Sequence, residues 1–156
     1  MAMSFDGKRV LLIGGAQNIG RAVALEFARR GADIAVADLD GEAAAETASL
    51  VAQLGRKAAA LRCDVTSEQS VAQTIAAAEA ALGGIDILMN NAGILSGGNP
   101  EDIPLAAWRQ MMDVNFFGMM RAIEVVLPAM LARGSGHIVN TASFAGMYPF
   151  AASRIH

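Results

Sequence analysis

The sequence predicts an α/β protein built on one doubly wound parallel sheet, and three observations carry that reading. Short apolar, β-rich runs alternate with longer helical patterns along the whole chain, as expected when each crossover between parallel strands is a helix. The first run leads into a glycine-rich turn, Gly14, Gly15, Ala16, Gln17, Asn18, Ile19, Gly20, which opens a helical pattern. The apolar run of residues 85–89 stops at Asn90, Asn91, Ala92 and Gly93, two amides and a glycine at the tip of a buried strand.

Taken in order, residues 9–13, 33–37, 58–63, 87–89 and 137–140 are expected to be strands, and residues 21–30, 42–54, 68–82 and 105–132 helices. Near-continuous Val, Ile, Leu and Ala in the strands suits a sheet covered on both faces, and right-handed crossovers give the strand order 3-2-1-4-5. Residues 43–48 and 76–81 are alanine-rich, which reads as high helix propensity with close packing. No internal repeat, long linker or low-complexity tract divides the chain, so residues 1–156 are read as one domain.

Composition narrows the function. A chain of 156 residues with 54% hydrophobic content and a formal charge of −3 is globular, and it has no Lys/Arg cluster that would mark a nucleic-acid or anionic-membrane surface. The N-terminal ten residues lack an apolar signal core. The apolar helix of residues 116–132 is interrupted by Arg121, Glu124 and Pro128 and is expected to fall short of a membrane span, serving instead in the core or in subunit packing. Cys63 is the only cysteine, which excludes an internal disulfide and a thiolate metal site and fits a cytoplasmic location. At the end of an apolar strand it is most simply a small buried hydrophobe.

The chemistry-bearing residues follow from the same plan. Glycines in the 14–20 turn allow positive φ and let backbone approach a ligand, while the following helix aims its unpaired N–H groups and positive dipole end at the turn, an arrangement suited to pyrophosphate. Asp38 ends the second strand 18 residues after Gly20, near where an acidic side chain receives a ribose 2′-hydroxyl. A carboxylate there repels a 2′-phosphate, and Gln17 and Leu39 offer no positive charge to hold one, so NAD is favoured over NADP. The ordinary alternatives are a strand-to-helix turn at residues 90–93 and a solvated turn aspartate at Asp38.

These motifs identify the chain as similar to the short-chain dehydrogenase/reductase family, whose signature combines a Thr-Gly-x-x-x-Gly-x-Gly turn, Asn-Asn-Ala-Gly after the fourth strand, a helical Asn, and a Ser followed by Tyr-x-x-x-Lys. Gly14 and Gly20 match the outer glycines, Asn115 the helical Asn and Ser143 the serine, and the match spans nearly the whole chain. Ile13 stands where the family has Thr, and Asn18 where it has the middle Gly. Asn is the non-glycine residue most at ease in the left-handed region, so the turn is expected to survive. The resemblance implies a Rossmann-like fold without the family's C-terminal strands and helices. It also implies that Gly14, Gln17, Asn18, Ile19, Gly20, Asp38 and Leu39 hold the cofactor, that Asp64 and Val65 contact the adenine, and that Asn91, Ala92 and Gly93 face the ribose. Helix capping by Thr66 or Ser67, with Glu68 or Gln69 at the third position, is a structural reading of the segment after the third strand.

Hydride transfer to a carbonyl requires a positioned acid and donors aimed at the developing oxyanion. By resemblance Ser143 would bond the substrate oxygen and Asn115 would support a proton relay. A strand-end turn at Ser143 and backbone satisfaction at a helix irregularity near Gly118 by Asn115 are the plain structural readings. The family's Tyr and Lys are missing. Tyr148 follows Ser143 by five residues, precedes Pro149 and has Ala152 where the lysine belongs, and an unassisted phenol with a pKa of about 10 is a poor catalyst near neutrality. His156, the last residue, is an equally poor base. Deleting the first base of codons such as CGC-ATA-CAT for Arg154, Ile155 and His156 yields Ala-Tyr after Ser153, which suggests a frameshift near Arg154. An engineered fragment or part of a longer chain are the alternatives, and the coding DNA separates them.

The sequence-level expectation is therefore an NAD-dependent oxidoreductase acting on a secondary alcohol or its ketone, catalytically incomplete in this chain, with a homo-oligomer expected and no metal, nucleic-acid or membrane partner. A non-catalytic dinucleotide-binding module and an inactive remnant are the other readings that these residues allow.

Overall fold

The computed structural model describes residues 4–143, and Tyr148 and His156 lie outside them. Five strands form one parallel sheet in the order β3-β2-β1-β4-β5. They are β1 (Arg9–Ile13), β2 (Asp33–Asp38), β3 (Ala58–Arg62), β4 (Ile87–Asn90) and β5 (His137–Asn140), each within one residue of expectation at either end. The helices are α1 (Asn18–Arg29), α2 (Gly41–Gln53), α3 (Glu68–Leu82), α4 (Leu105–Met112) and α5 (Gly118–Ala132), with a 3-10 turn at Pro100–Asp102. The domain is the Rossmann-like doubly wound sheet that the alternation predicted.

Strand pleating sorts the core into two layers. In β1, Val10 and Leu12 point to the face covered by α1 and α2, where they meet Ile34 and Val36 of β2 with Ala24, Ala28, Ala44, Ala48 and Val51. Leu11 and Ile13 point the other way, with Ala35, Ala37 and Leu88, onto α3 and α5 through Val71, Ile75, Ala78, Ala122, Val126 and Met130. Residues two apart in a strand share a face, so an uninterrupted apolar strand supplies both layers. The alanines on α1 and α2 let those helices lie close to the sheet.

Two boundaries depart from expectation for identifiable reasons. Helix α1 starts at Asn18, three residues early, because the turn folds directly into the first helical turn after the extended Gln17. The expected helix of residues 105–132 is helical throughout, but residues Asp113–Phe117 form a π-helical turn between α4 and α5. It is also longer than the apolar stretch weighed in the sequence: Leu105–Ala132 is long and apolar enough to cross a membrane by length and composition, a correction to the expected shortfall. One face of it packs on the sheet through Ala122, Val126 and Met130.

Register places the site. Ile13 pairs with Ala37 and with Asn90, and Asn90 with Asn140, so the carboxyl ends of the strands lie level. The chain leaves β1 for β2 and β3, then returns to β4 on the opposite side of β1, which makes the β1/β4 boundary the topological switch point where such sheets bind ligands.

Candidate functional site

A cleft of about 580 Å³ opens at the carboxyl ends of the strands. Its walls come from the glycine turn, the tips of β2 and β3, the segment after β4, and the α4 side of the long helix. Of the twelve residues expected to hold a cofactor, eleven line it: Gly14, Gln17, Asn18, Ile19, Asp38, Leu39, Asp64, Val65, Asn91, Ala92 and Gly93. The twelfth, Gly20, is buried beneath the turn.

The turn admits side chains at neither outer glycine. A Cβ on Gly14, at φ +82°, would sit 2.3 Å from the backbone nitrogen of Ala92, and one on Gly20 would sit 2.0 Å from the carbonyl oxygen of Gly14. The first contact brings the phosphate turn against the segment after β4, and the second folds the helix start onto the turn. Asn18, in the position of the missing middle glycine, has φ 48°, the sole positive φ outside glycine among the described residues. The left-handed conformation is therefore kept without the glycine.

Three amides lock the strand tips. Asn91 Nδ2 donates to the carbonyl of Gly14 at 2.9 Å, Thr141 Oγ1 donates to Asn91 Oδ1 at 3.0 Å, and Asn90 Nδ2 donates to Asn140 Oδ1 at 2.8 Å. These bonds tie β1, β4 and β5 together at the mouth of the cleft. Thr141, which also lines the cleft, was not singled out in the sequence because a threonine after a strand carries no signal of its own.

Asp38 reaches into the cleft with its carboxylate already committed to backbone: Oδ2 accepts from Ala16 N–H at 3.1 Å and Oδ1 from Asp40 N–H at 3.2 Å. Leu39 beside it is exposed, as is Ile19 across the opening. Asp64 is held in a tight local turn, its Oδ1 accepting from the Thr66 hydroxyl at 2.7 Å and from the Thr66 N–H at 2.9 Å. Those two bonds, the hydroxyl first, keep its carboxyl below the ordinary value. Ser67 caps α3 through Ser70 N–H. With Ser67 as cap the third position is Ser70, not Glu68 or Gln69, and the Ser70 hydroxyl instead accepts from Asp64 N–H. Cys63 lies buried at the cleft floor, and burial raises its thiol pKa, which suits the structural role expected of it.

Asn115 sits in the π-helical turn and does not satisfy its own helix. Its Nδ2 donates to the carbonyl of Ile94 and its Oδ1 accepts from Ile94 N–H, both at 2.8 Å, so one amide pins the loop that follows Gly93. A π-helical turn inserts one residue into a helix and turns the following face, a device common at functional sites. Arg121 braces it, its NH2 bonding Asp113 Oδ1 at 2.7 Å and its NH1 the carbonyl of Val65 at 3.1 Å. Ser143 lies three residues past β5 and is exposed. Neither Asn115 nor Ser143 is among the cleft-lining residues, though Asn115 is bonded to Ile94, which is. Among the described residues no group of three or more His, Cys, Asp or Glu is arranged to hold a metal.

The arrangement fits a dinucleotide. It offers a tightly packed glycine turn whose outer positions admit no Cβ, a helix start facing it, and a carboxylate one strand away. The family model for short chain dehydrogenases matches residues 8–155. The chain is 37% identical over 145 residues to 7alpha-hydroxysteroid dehydrogenase of Escherichia coli strain K12, covering 92% of this chain and 56% of that protein. It is 41% identical over 144 residues to 2,5-dichloro-2,5-cyclohexadiene-1,4-diol dehydrogenase of Sphingobium indicum, covering 91% and 56%. The solved structure of NAD+-bound xylitol dehydrogenase superposes with a TM-score of 0.91 at 35% identity, covering 96% of this chain and 58% of that one. The chain thus spans a little over half the length of these relatives, and on its fold, its motifs and these likenesses it belongs to the short-chain dehydrogenase family.

Proposed function

We propose that this chain carries the cofactor site of an NAD-dependent oxidoreductase that moves a hydride between NAD(H) and a secondary alcohol or its ketone. The observation that carries the reading is Asp38: a carboxylate at the tip of β2, lining the cleft, beside the uncharged Gln17 and Leu39. A ribose 2′-hydroxyl can donate to it, and a 2′-phosphate would meet its negative charge with no cation at either neighbouring position. The turn of residues 14–20 would cradle the pyrophosphate, Asp64 and Val65 would border the adenine, and Asn91, Ala92 and Gly93 would border the nicotinamide-side ribose. The bound nicotinamide would supply the hydride acceptor or donor. The secondary-alcohol class is supported by relatives named as hydroxysteroid, cyclohexadienediol and cyclohexanol dehydrogenases.

In this reading Ser143 donates a hydrogen bond to the substrate oxygen, and Asn115 holds the loop at Ile94 that borders it. The sequence contains no Tyr-x-x-x-Lys, its lysines being Lys8 and Lys57. Positioned acid-base catalysis contributes about 10² to 10⁴ in rate, so the 156-residue chain is expected to bind cofactor without measurable alcohol oxidation. We place the protein in the cytoplasm, as a homo-oligomer, with no nucleic-acid or membrane partner.

Titration of the 156-residue chain with NADH and NADPH tests the assignment. NADH is expected to bind more tightly, and Asp38→Asn to narrow the gap, because the amide oxygen keeps an acceptor for Ala16 N–H while the charge is gone. Equal affinities in the unmutated chain would overturn the NAD assignment, and no binding of either would favour an inactive remnant.

A further inference from the structure

One buried hydroxyl in this fold has no evident reason to exist if α2 serves only to cover the sheet. Thr47 lies in the alanine-rich stretch of that helix and is fully buried. Its Oγ1 donates to the carbonyl of Ala16, in the middle of the glycine turn, at 2.7 Å. The same oxygen accepts from Arg21 Nε of α1 at 2.8 Å, and Arg21 Nε also reaches the Ala16 carbonyl at 3.0 Å. The guanidinium is held from its far side by Glu46 Oε2 at 3.0 Å. Ala16 N–H, meanwhile, donates to Asp38 Oδ2.

Both polar groups of one turn residue are therefore fixed by side chains from three different elements: α1, α2 and the end of β2. A turn with mixed glycines has many conformations available, and only one directs its N–H groups at a pyrophosphate. We infer that Thr47 and Arg21 are positioning residues for the dinucleotide. They hold the Ala16 carbonyl so that the turn keeps its phosphate-binding shape, at a fixed separation from Asp38, before any ligand arrives. Neither side chain needs to touch the ligand. Thr47 is buried beneath the turn, and Arg21, which with Gln17, Asn18, Ala43 and Glu46 lines a second pocket, is already bonded to Ala16, Thr47 and Glu46. The inference rests on the NAD reading for the identity of the ligand, but the brace itself is a property of the free protein.

The test uses Thr47→Val, which keeps the shape and removes the hydroxyl, Thr47→Ser, which restores it, and Arg21→Met, which keeps the aliphatic stem. In the 156-residue chain, Thr47→Val is expected to raise the Kd for NADH and for ADP by about three- to tenfold, the scale of one lost hydrogen bond, while the Kd for adenosine stays within about twofold. Thr47→Ser should return ADP binding to within about twofold, and Arg21→Met should fall with Thr47→Val. Without ligand, Thr47→Val should speed amide hydrogen exchange at Ala16 by about three- to tenfold and leave Ala35, at the centre of the sheet, unchanged. Equal losses for adenosine and ADP would mean general loosening and overturn the proposal, as would unchanged ADP binding or unchanged exchange at Ala16. If the unmutated chain bound no NADH, the cofactor reading and the positioning role would fall together, with the exchange rates still reporting whether the brace exists. If it bound NADH and Thr47→Val bound it equally well, the brace alone would fall.

Discussion

The sheet from β3 to β4 and the flank formed by α4, α5 and β5 are built to different standards. In the first region β1 and β2 are closed on both faces, each helix sinks a complete apolar stripe, and the largest buried side chains all belong to it. In the second, α4 buries no residue, β5 is one of the two sheet edges among the described residues, and Leu105, Trp108, Met112, Phe116, Phe117, Met120 and Leu131 are exposed. Trp108, Met112 and Phe117 share one shallow apolar surface with Leu105. Contiguous exposed apolar surface marks an interaction site. The lesson is that the glycine turn and the β1/β4 cleft rest on the self-sufficient part of the fold, whereas the α4 wall of the cleft belongs to the part that calls for cover.

The largest expected effect tests the self-sufficient half at its tightest point. Gly20→Ala would place a methyl 2.0 Å from the Gly14 carbonyl oxygen, a contact between two backbone segments that no side-chain rotation relieves. A loss of about 3 kcal/mol or more in urea unfolding, with NADH binding abolished, is expected. Next, paired truncations put the comparison itself at risk. Ile75→Ala in the closed half should cost about 2–5 kcal/mol, while Leu131→Ala, 69% exposed, should stay within about 0.5 kcal/mol. If Leu131→Ala cost as much as Ile75→Ala, the second region would be covered in solution and the contrast would dissolve.

A smaller effect sharpens the contrast. Met112→Glu puts a charge into the exposed apolar surface without touching the core, so folding stability should change by about 0.5 kcal/mol or less. Sedimentation velocity should nonetheless shift from an associated species toward monomer. A monomer in both proteins would show that this face is not what pairs two copies.

How far the sequence could be read follows the same division. All five strands and their order were legible because near-continuous apolar runs alternate with helical patterns, and eleven of the cleft-lining residues were legible because glycine turns and strand ends carry local signals that survive into the fold. Asn18 was legible too, since its left-handed tolerance is intrinsic to the side chain. The π-helical turn at residues 113–117 was not, because one extra residue inside a strong helical pattern leaves no mark on composition. Thr47 escaped for a different reason. A threonine within an alanine run looks like propensity noise until the turn it supports, 31 positions away, is brought beside it. The substrate-side roles of Ser143 and Asn115 were read only by resemblance, and the structure adds for Asn115 a two-point bond to Ile94.

The last expected effect, read only as a pH dependence, lies at the opposite end of the sheet from the site and asks whether the closed half is also electrostatically self-contained. Asp86, just before β4, accepts from Arg9 Nε and NH2 at 2.8 Å each and from Arg9 N–H at 3.0 Å, while Arg9 NH1 reaches the Gly83 carbonyl and Arg133 the Ile85 carbonyl. The Arg9 hydrogen bonds hold the Asp86 carboxyl down to about 2, from 3.8. Since the folded value lies below the unfolded one, the pair's contribution is fully present above pH 4 or so. It is lost as acid carries the pH down through about 2. With the side chains 29% and 21% exposed, solvent discounts the gain to on the order of 1 kcal/mol. Urea unfolding followed from pH 5 to pH 2.5 should therefore show a steeper fall for the unmutated chain than for Asp86→Asn, the gap between the two curves narrowing toward the acid end. Parallel curves would mean that Arg9 and Asp86 contribute geometry without charge, and the closed half would owe its stability to packing alone.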